Sequence, residues 1–413
     1  MSEVVDTAHA ADVDCCIVGG GPAGMVLGLL LARVGLRVTV LESQPDFDRD
    51  FRGDTLHAST LEMLDQIGLA DRVLDIPHVK LREMSINAGD ATFTLARFER
   101  LPSRYPFIAI MPQADFLEFL AHEASRYPGF RCLTSAGVTG LVEAQGRVVG
   151  VRYRQDGEEH RLDTGLVVAA DGRFSRVRKL AGLEARERAA PMDVCWFRLP
   201  REAGDGYEAG GFFVGSGRML ICIPRVGEWQ IGYVFPKGDF HQVREAGIGP
   251  FRAEIAATAH WLADRAAAIQ TFDDVHLLNV KADCLDTWHR PGLLLIGDAA
   301  HVMSPVGGVG INAAISDAVE AANVLAYEGP APALGAGPPP DSLLARIQKR
   351  RTRPTRIIQA VQSRVQQVLV ERALAGDGFE IPATVRLVLR TPGLRQLPIR
   401  VFALGVSRTR LAL

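Results

Sequence analysis

The chain has 413 residues, 47% of them hydrophobic, which is enough for two to three domains with a large buried core. Its formal net charge of −2 argues against a basic nucleic-acid surface or a polybasic membrane anchor. No run of about 20 apolar residues predicts a transmembrane helix, and Met1 to Asp12 lacks a signal-peptide pattern. Six scattered cysteines without CxxC spacing favour a reduced, cytoplasmic protein.

The N-terminal pattern predicts a strand–helix–strand unit. Val13 to Val18 is a short apolar run suited to a buried parallel strand. Pro22 to Val34 then has a helical pattern, and Leu36 to Leu41 predicts a second strand that stops at Glu42. A glycine-rich turn connects the first strand to the helix.

That turn reads Gly19-Gly-Gly-Pro-Ala-Gly24 and matches the GxGxxG pattern of dinucleotide-binding proteins. Glycines allow the backbone to approach a pyrophosphate, and the following helix offers free N–H groups and the positive end of its dipole. Glu42 lies about twenty residues further on, where a carboxylate can accept ribose hydroxyls. The motif alone does not separate FAD from NAD, and a tight turn without a ligand is the alternative.

The middle of the chain alternates between further helices and strands. The predicted elements are a helix over Leu56 to Ile67, a strand over 83–95, a helix over Gln113 to Tyr127, a hairpin of Gly137–Val142 and Val148–Tyr153 that turns at Gln145-Gly146, and a buried strand over Leu166 to Ala170. The last strand runs directly into Asp171-Gly172.

From about residue 190 the pattern changes to an antiparallel sheet and then returns to α/β. The predicted elements are strands at Phe212–Val214, Met219–Ile223 and Trp229–Phe235, a helix over Phe251 to Ala266, a strand at Leu293–Ile296, a helix after Asn312, a loop over 328–340 and a helical tail from Asp341 that breaks at Pro354. Strands near residues 15, 38, 167 and 294 are expected in one parallel sheet.

Three motifs together carry a family resemblance: Gly19 to Gly24, Val168-Ala-Ala-Asp171-Gly172 with its basic tail, and Gly297-Asp298-Ala-Ala-His-Val-Met-Ser-Pro305. Over about residues 12 to 330 the chain resembles the single-component, para-hydroxybenzoate hydroxylase-like (group A) flavoprotein monooxygenases. The resemblance implies an α/β fold: a Rossmann-like FAD-binding domain of the GR2 type, an inserted antiparallel substrate domain and a helical C-terminus. The expected segments are FAD-binding at 12–80, 111–185 and 281–330, substrate-binding at 81–110 and 186–280, and helical at 341–413.

The resemblance also implies which residues would hold FAD. Residues near the pyrophosphate, ribose, ribityl chain and ring would be Gly19, Gly21, Pro22, Ala23, Gly24, Glu42, Arg52, Gln113, Val138, Asp171, Asp298, Gly310, Ile311 and Asn312. For Arg52, Gln113 and Asp171 the open alternatives are a surface arginine, a helix-start residue and a helix-start aspartate. The family often has Gly-Gln-Gly before the final asparagine, whereas this chain has Val309 in place of the glutamine.

Asp171-Gly172 is linked in this family to NADPH or NADH, and Arg176 and Arg178 would attract its phosphates unless they are simply solvated. Because no second GxGxxG occurs, the nicotinamide cofactor would bind only transiently. The implied reaction uses NAD(P)H and O2 to hydroxylate an aromatic or polyketide-like molecule through a flavin C4a-hydroperoxide, and it requires no metal.

The inserted sheet is expected to contact the substrate, and its candidate residues are Phe213, Arg218, Cys222 and Tyr233, although alternation leaves open which half faces inward. Pro305 and Arg52 are the candidate catalytic residues, Pro305 through backbone rigidity. His57 and His301 lie nearest the motifs, but neither is assigned as a general base. His301 is expected to pack beside the Gly-Asp strand.

Three alternatives remain open from the sequence. A flavin-dependent halogenase would carry Trp-x-Trp-x-x-Pro, which is missing here, while a redox-neutral flavoenzyme and a non-catalytic flavin-binding protein keep the same motifs. The tail arginines Arg346, Arg350, Arg351 and Arg353 predict either a solvated helix face or a dimer surface. The protein is therefore expected to be a monomer or a homodimer. No nucleic-acid partner is expected.

Overall fold

The computed structural model describes residues 12–48, 54–89, 91–202, 205, 210–215, 217–328, 333–335, 337–375 and 379–413. The strands, in chain order, are β1 Val13–Val18, β2 Val38–Leu41, β3 Thr55–Leu56, β4 Val79–Leu81, β5 Glu83–Ala88, β6 Ala91–Arg97, β7 Ile108–Ile110, β8 Phe130–Leu133, β9 Gly137–Ala144, β10 Arg147–Gln155, β11 Glu158–Ala169, β12 Ala185–Arg188, β13 Met192–Pro200, β14 Gly210–Gly215, β15 Arg218–Pro224, β16 Glu228–Pro236, β17 His276–Leu278, β18 Ala282–Leu285, β19 His289–Arg290 and β20 Leu293–Leu295.

The α-helices complete the layers around these strands. They are α1 Pro22–Arg33, α2 Ala58–Gln66, α3 Ala70–Val73, α4 Gln113–Ser125, α5 Arg176–Leu180, α6 Phe240–Ala246, α7 Ile248–Thr258, α8 Ala263–Ala266, α9 Gly310–Ala322, α10 Asp341–Val365, α11 Glu371–Leu374, α12 Ala383–Arg390 and α13 Pro392–Leu404. None of the helices in the described ranges is long and apolar enough to cross a bilayer.

The main sheet has the strand order β19-β20-β11-β1-β2-β8, and the hairpin β9–β10 continues from β11. Ile17 on β1 pairs with Val168 on β11 and with Val40 on β2, all in parallel register. The prediction that strands near 15, 38, 167 and 294 share one sheet is therefore confirmed. Apolar residues on both faces explain its burial: Cys15 belongs to the core under α1, α4 and α9, and Cys16 to the core under the hairpin.

A second, seven-stranded sheet has the order β17-β13-β16-β15-β14-β5-β6. All its pairings are antiparallel except β14 with β5. Strands β5 and β6 precede β8 to β11 in the chain, whereas β13 to β17 follow them. The second sheet therefore combines two segments that are separated in sequence by strands of the main sheet. The expected combination of a Rossmann-like domain, an inserted antiparallel sheet and a helical C-terminus is confirmed.

Three element predictions were wrong in detail. Residues 83–95 form two strands instead of one, because Gly89 takes a positive φ of 54° after Ala88. The helix expected over Phe251 to Ala266 is interrupted at Ala259, whose φ of −137° is not helical. Pro354 does not break α10, since the proline and its apolar neighbours on that face are buried against the body.

Candidate active site

The glycine-rich turn is shaped by close backbone contacts at two of its glycines. A Cβ on Gly24 would lie 2.0 Å from the carbonyl oxygen of Gly19, and Gly19 itself has a φ of 106°. At Gly21, by contrast, a Cβ would meet nothing within 4 Å. Gly21 precedes α1 without a side-chain cap, so the N–H groups of Ala23 and Gly24 in the first turn have no side-chain capping partner among the described residues. This is the geometry of an anion cradle.

Glu42 lies directly after β2 and is only 3% exposed. Its Oε2 accepts a hydrogen bond from the Gly20 N–H at 2.8 Å, and its Oε1 accepts one from the Gln44 N–H at 2.9 Å. The carboxylate therefore braces the glycine turn from below.

The three sequence motifs meet in space. A Cβ on Gly19 would lie 2.5 Å from the carbonyl oxygen of Ala170, the residue before Asp171. A Cβ on Gly297 would lie 3.0 Å from Cβ of Ala314 on α9 and 3.5 Å from Cβ of Ala23 on α1. The first turns of α1 and α9 thus lie side by side, with the Gly297-Asp298 turn between them.

A buried charge network beneath Gly297 was missed by the sequence reasoning. Asp317 on α9 is fully buried and accepts hydrogen bonds from the Gly297 N–H at 2.9 Å, from His301 Nε2 at 2.6 Å and from Arg351 Nε at 2.6 Å. Burial opposes its ionisation, but His301 and Arg351 outweigh that effect and lower the pKa of Asp317 to about 2. The ring of His301 also packs 4.9 Å from Trp288, as its predicted packing role requires.

The tail pattern predicted a solvated helix face or a dimer surface for Arg351. The structure instead buries this side chain. It is 4% exposed and reaches inward, whereas Arg350 on the adjacent position pairs with Glu320 and Glu328. The only sequence signal was the 3.6-residue period of α10, which places Arg351 one turn from the buried Ile347 and Pro354.

The loop 305–309 before α9, which we call the flavin-side loop, is held by Asn312. The Asn312 amide nitrogen donates to the carbonyls of Thr55 and Gly308, and its oxygen accepts from the His57 N–H and the Thr60 hydroxyl. The Asn312 side chain is thus engaged within the chain, which leaves only its backbone N–H for a ligand. Like Gly21, Gly310 would leave open space around a Cβ, and α9 has no side-chain cap.

His57 ties the same loop to the C-terminal helices. Its Nδ1 donates to the Phe402 carbonyl at 2.8 Å, and the Phe402 ring lies against Gly307, where a Cβ would come within 2.8 Å. Burial lowers the pKa of His57 to about 4, so the ring is neutral at pH 7.

Asp54 connects the cofactor side to the seven-stranded sheet. Its carboxylate contacts Arg225 Nη1 at 2.6 Å and accepts a backbone hydrogen bond from Gln113 at the start of α4. Burial raises the pKa of Asp54 to about 6, although the Arg225 charge acts against the shift. Arg52, a predicted site residue two positions earlier, lies outside the described residues.

The Asp171 segment is partly self-contained. The Asp171 carboxylate accepts from the Ser175 hydroxyl at 2.6 Å and from the Val177 N–H at 3.0 Å, so it caps α5, and burial raises its pKa. Arg178 pairs with Asp283 at 3.3 Å and is therefore not free to attract phosphates, contrary to expectation. Arg176 and Phe174 are exposed, the ring of Phe174 by 70%.

The expected substrate residues mostly lie on one side of the seven-stranded sheet, where α7 packs. Phe213, Cys222 and Tyr233 pack with Phe251 and Ile255 of α7 in a closed core, which we call the helix-covered face. Arg218 lies at the rim of that face, where its Nε donates to the Tyr233 hydroxyl at 2.7 Å. Alternation along a strand sends neighbouring residues to the other side, so the predicted residues and their neighbours lie on opposite faces of the sheet.

The opposite face, which we call the open face, carries half-buried apolar side chains. Phe212, Ile221 and Ile223, together with Val306 of the flavin-side loop, all pack against one apolar cluster. Its buried members include Val370, Ala373 and Ile381 of the C-terminal region, so part of this face is covered. Trp196 lies flat on this face above Gly232, where a Cβ would come within 2.9 Å of its ring. Half-buried apolar side chains next to a glycine-containing loop suit contact with an apolar small molecule.

The remaining predicted residues lie close to these features. Val138 is buried in the core beside Leu41, Asp298 lies in a turn directly after β20, Pro305 begins the flavin-side loop and Ile311 packs in the first turn of α9. Two adjacent uncapped helix starts, each with an open glycine, fit a ligand that carries a pyrophosphate at one place and an anionic ring at another. FAD has this chemistry.

Comparisons with known proteins agree with this fit. The family described as the FAD binding domain matches residues 12–332. The 6-methylpretetramide 4-monooxygenase of Streptomyces rimosus is 34% identical over 401 residues, which are 95% of this chain and 93% of that protein.

Two solved structures share the fold. A probable FAD-dependent monooxygenase from Pseudomonas aeruginosa, PqsL, has a TM-score of 0.73 at 21% identity over 88% of this chain and 98% of that one. The OxyS anhydrotetracycline hydroxylase from Streptomyces rimosus has a TM-score of 0.72 at 23% identity over 95% of this chain and 75% of that one. With its three motifs joined at one site and its family match over most of its length, the chain belongs to the single-component FAD-dependent aromatic hydroxylase family and is an FAD-dependent monooxygenase.

Proposed function

We propose that this monooxygenase hydroxylates a flat, largely apolar polycyclic aromatic molecule of polyketide type, with NAD(P)H as electron donor. The observation that carries the proposal is the open face, where Phe212, Ile221 and Ile223 offer an apolar wall beside Val306. The 34% identity to a 6-methylpretetramide 4-monooxygenase over nearly the whole chain supports the same substrate class.

FAD, when bound, would pass electrons from NAD(P)H to O2 and activate the oxygen for transfer to the substrate. We propose that the N–H groups of Ala23 and Gly24 in the first turn of α1 hold its pyrophosphate, that Glu42 accepts a ribose hydroxyl, and that Asp298 accepts from the ribityl chain. The N–H groups at Gly310, Ile311 and Asn312 would then stabilise negative charge on the ring through the start of α9. Gln113 and Val138 flank these positions.

The apolar residues of the cleft have their own task in this scheme. Trp196, Phe212 and Ile221 would orient the substrate by surface contact and keep water out of the reacting space. The polar end of the same wall is the ion pair of Asp54 and Arg225, and both of its side chains are nearly buried. A substrate that carries oxygen substituents at one end would satisfy both regions.

For the electron donor, we propose an approach over the exposed Phe174 and Arg176 beside Gly172. An aromatic face and a fixed positive charge suit the base and phosphate of a nicotinamide nucleotide. Gly172 has a φ of 79°, and a Cβ at this position would meet nothing within 4 Å, so the backbone there is accessible.

The test is a screen of NADPH and NADH oxidation by the purified FAD-loaded protein. Polycyclic phenols should stimulate oxidation and gain one oxygen atom, as mass spectrometry would detect, whereas small benzoates should stimulate it weakly. Halogenated product in the presence of halide, or oxidation that no aromatic compound stimulates, would contradict the proposal.

A further inference from the structure

Helix α10 and the turn that follows it carry three buried glutamines on one face. Gln359 and Gln362 are each 1% exposed and Gln366 is 5% exposed. Their spacing of three and four residues aligns them along the helix. All three point at the segment 302–306, which leads into the flavin-side loop.

Gln362 bridges the two residues on either side of Pro305. Its Nε2 donates to the carbonyl of Ser304 and to the carbonyl of Val306, each at 2.7 Å. Gln366 adds a bond from its Nε2 to the Ser304 hydroxyl at 2.9 Å, and that hydroxyl accepts from the Val306 N–H at 3.3 Å. The Gln362 amide therefore fixes the backbone on both sides of Pro305 from the side of α10.

The orientation of the Gln362 amide is determined by these partners. A flipped amide would place its oxygen against two carbonyl oxygens, so the nitrogen must face the loop. As a result, Gln362 Oε1 is buried without a partner among the described residues. A buried unpaired acceptor is unfavourable, so the chain keeps this arrangement at a cost in stability.

Inside the loop, the Gly308 N–H donates to the Pro305 carbonyl at 3.1 Å, and the residues after Val306 add little rigidity of their own. Gly307 and Gly308 follow Val306 with φ values of 80° and 60°, and glycines lose more conformational freedom than other residues when fixed. Pro305 has no N–H with which to anchor the turn. The side chains behind the loop must therefore define its position.

We propose that Gln362 is a positioning residue for the reaction, because it sets where Pro305 and Val306 stand against the flavin ring and the substrate. The inference rests on the proposed function, since it assumes that the ring lies along this loop. Gln362 itself touches neither cofactor nor substrate. It acts through the backbone that it holds.

Gln359 provides a matched control one turn earlier on the same helix. Its Nε2 also donates to two backbone carbonyls, those of Asp283 at 2.8 Å and Val302 at 3.1 Å, and its Oε1 also has no partner among the described residues. These acceptors lie before the loop, away from Pro305. Replacement of either glutamine by methionine removes the same number of bonds at the same burial.

The experiment compares Gln362→Met with Gln359→Met in the FAD-loaded full chain. Both variants should lower the melting temperature to a similar extent. Only Gln362→Met should shift the visible absorption and midpoint potential of the bound flavin. It should also lower kcat by about 10- to 100-fold, because sub-ångström misplacement of a reacting site has that effect. The fraction of NAD(P)H oxidised without product should rise, with KM for NAD(P)H unchanged.

Identical flavin spectra, potentials and kcat values in the two variants would overturn the inference and leave Gln362 a structural residue. If Gln362→Met does not fold, Gln366→Met replaces it in the comparison. Gln366→Met should shift the flavin spectrum, the potential and kcat to a smaller degree, and no shift in them would refute the claim. A wild-type protein that binds no FAD, or whose oxidation no aromatic compound stimulates, would refute the proposed function instead.

Discussion

Replacement of Asp317 by asparagine tests whether the buried network under the Gly297 turn holds the site together. The Asp317 carboxylate is the common partner of the Gly297 N–H, His301 and Arg351. Asparagine keeps the size and one acceptor oxygen but removes the charge. Arg351, which is 4% exposed, then keeps a positive charge without its partner in a buried position.

The expected loss can be worked from two directions. Removing one member of a buried ion pair costs about 3–5 kcal/mol, since the other charge stays desolvated. A folded-state pKa of about 2 for Asp317, against roughly 4 for an unfolded aspartate, corresponds to about 2–3 kcal/mol at neutral pH. Both values predict a clear drop in unfolding midpoint and weaker retention of FAD, since Gly297 lies between α1 and α9.

The assay is chemical unfolding of the apo and FAD-loaded proteins, together with the flavin-to-protein ratio after gel filtration. The matched control is Asp286→Asn, which breaks a 2.7 Å pair with Arg186 whose side chains are 53% and 82% exposed. Such a surface pair contributes about 1 kcal/mol or less. Unfolding midpoints that shift equally in the two variants would refute the reasoning.

Three further outcomes are expected. Gly21→Ala should leave apo stability unchanged, because its φ is −75° and a Cβ meets no atom, yet lower FAD affinity at least about 10-fold; undiminished flavin content would count against the cradle. Ile221→Ala on the open face should raise the substrate KM several-fold, whereas Cys222→Ala at the neighbouring position should leave it unchanged. The reverse pattern would show that the substrate contacts the helix-covered face instead. For acid stability, the folded pKa of Asp317 is depressed, so its contribution is complete above about pH 4 and is lost as the pH falls toward 2; Asp317→Asn should flatten that part of the profile, and an unchanged slope would refute the assignment.

Much of the cofactor side could be predicted because its signals are local. Gly19 to Gly24 needs glycine for contacts within a single turn, and the strands at β1, β2, β11 and β20 are short apolar runs in a buried parallel sheet. Local propensity and global fold agree there, so the pattern identified both. The same agreement brought Ala170 and Gly297 to the glycine turn.

The substrate side could not be predicted to the same degree. Strand alternation identifies two sets of residues but not which set faces the cleft, and both sets in β14 and β15 are apolar. Only the packing of α7 on Phe213 and Tyr233 shows which set of residues the helices cover. No pattern within the strands records where a later helix will dock.

The contributions of the C-terminal region were also invisible to local reasoning. The tail pattern predicted a solvated helix face or a dimer surface for Arg351 and a break at Pro354, and it gave no signal for Gln359 or Gln362. Their partners lie about 35 to 75 residues earlier in the chain, so only the folded structure reveals them. Tertiary contacts then outweigh the helix-breaking tendency of the proline.

The most direct test of the central claim is the reaction of the FAD-loaded protein with NAD(P)H, a polycyclic phenol and isotopically labelled dioxygen. We expect a product that carries one labelled oxygen atom, formed in proportion to the nicotinamide consumed and reduced by Ile221→Ala. A product whose added oxygen comes from water, or labelled hydrogen peroxide as the sole oxygen product with every aromatic compound, would contradict the claim.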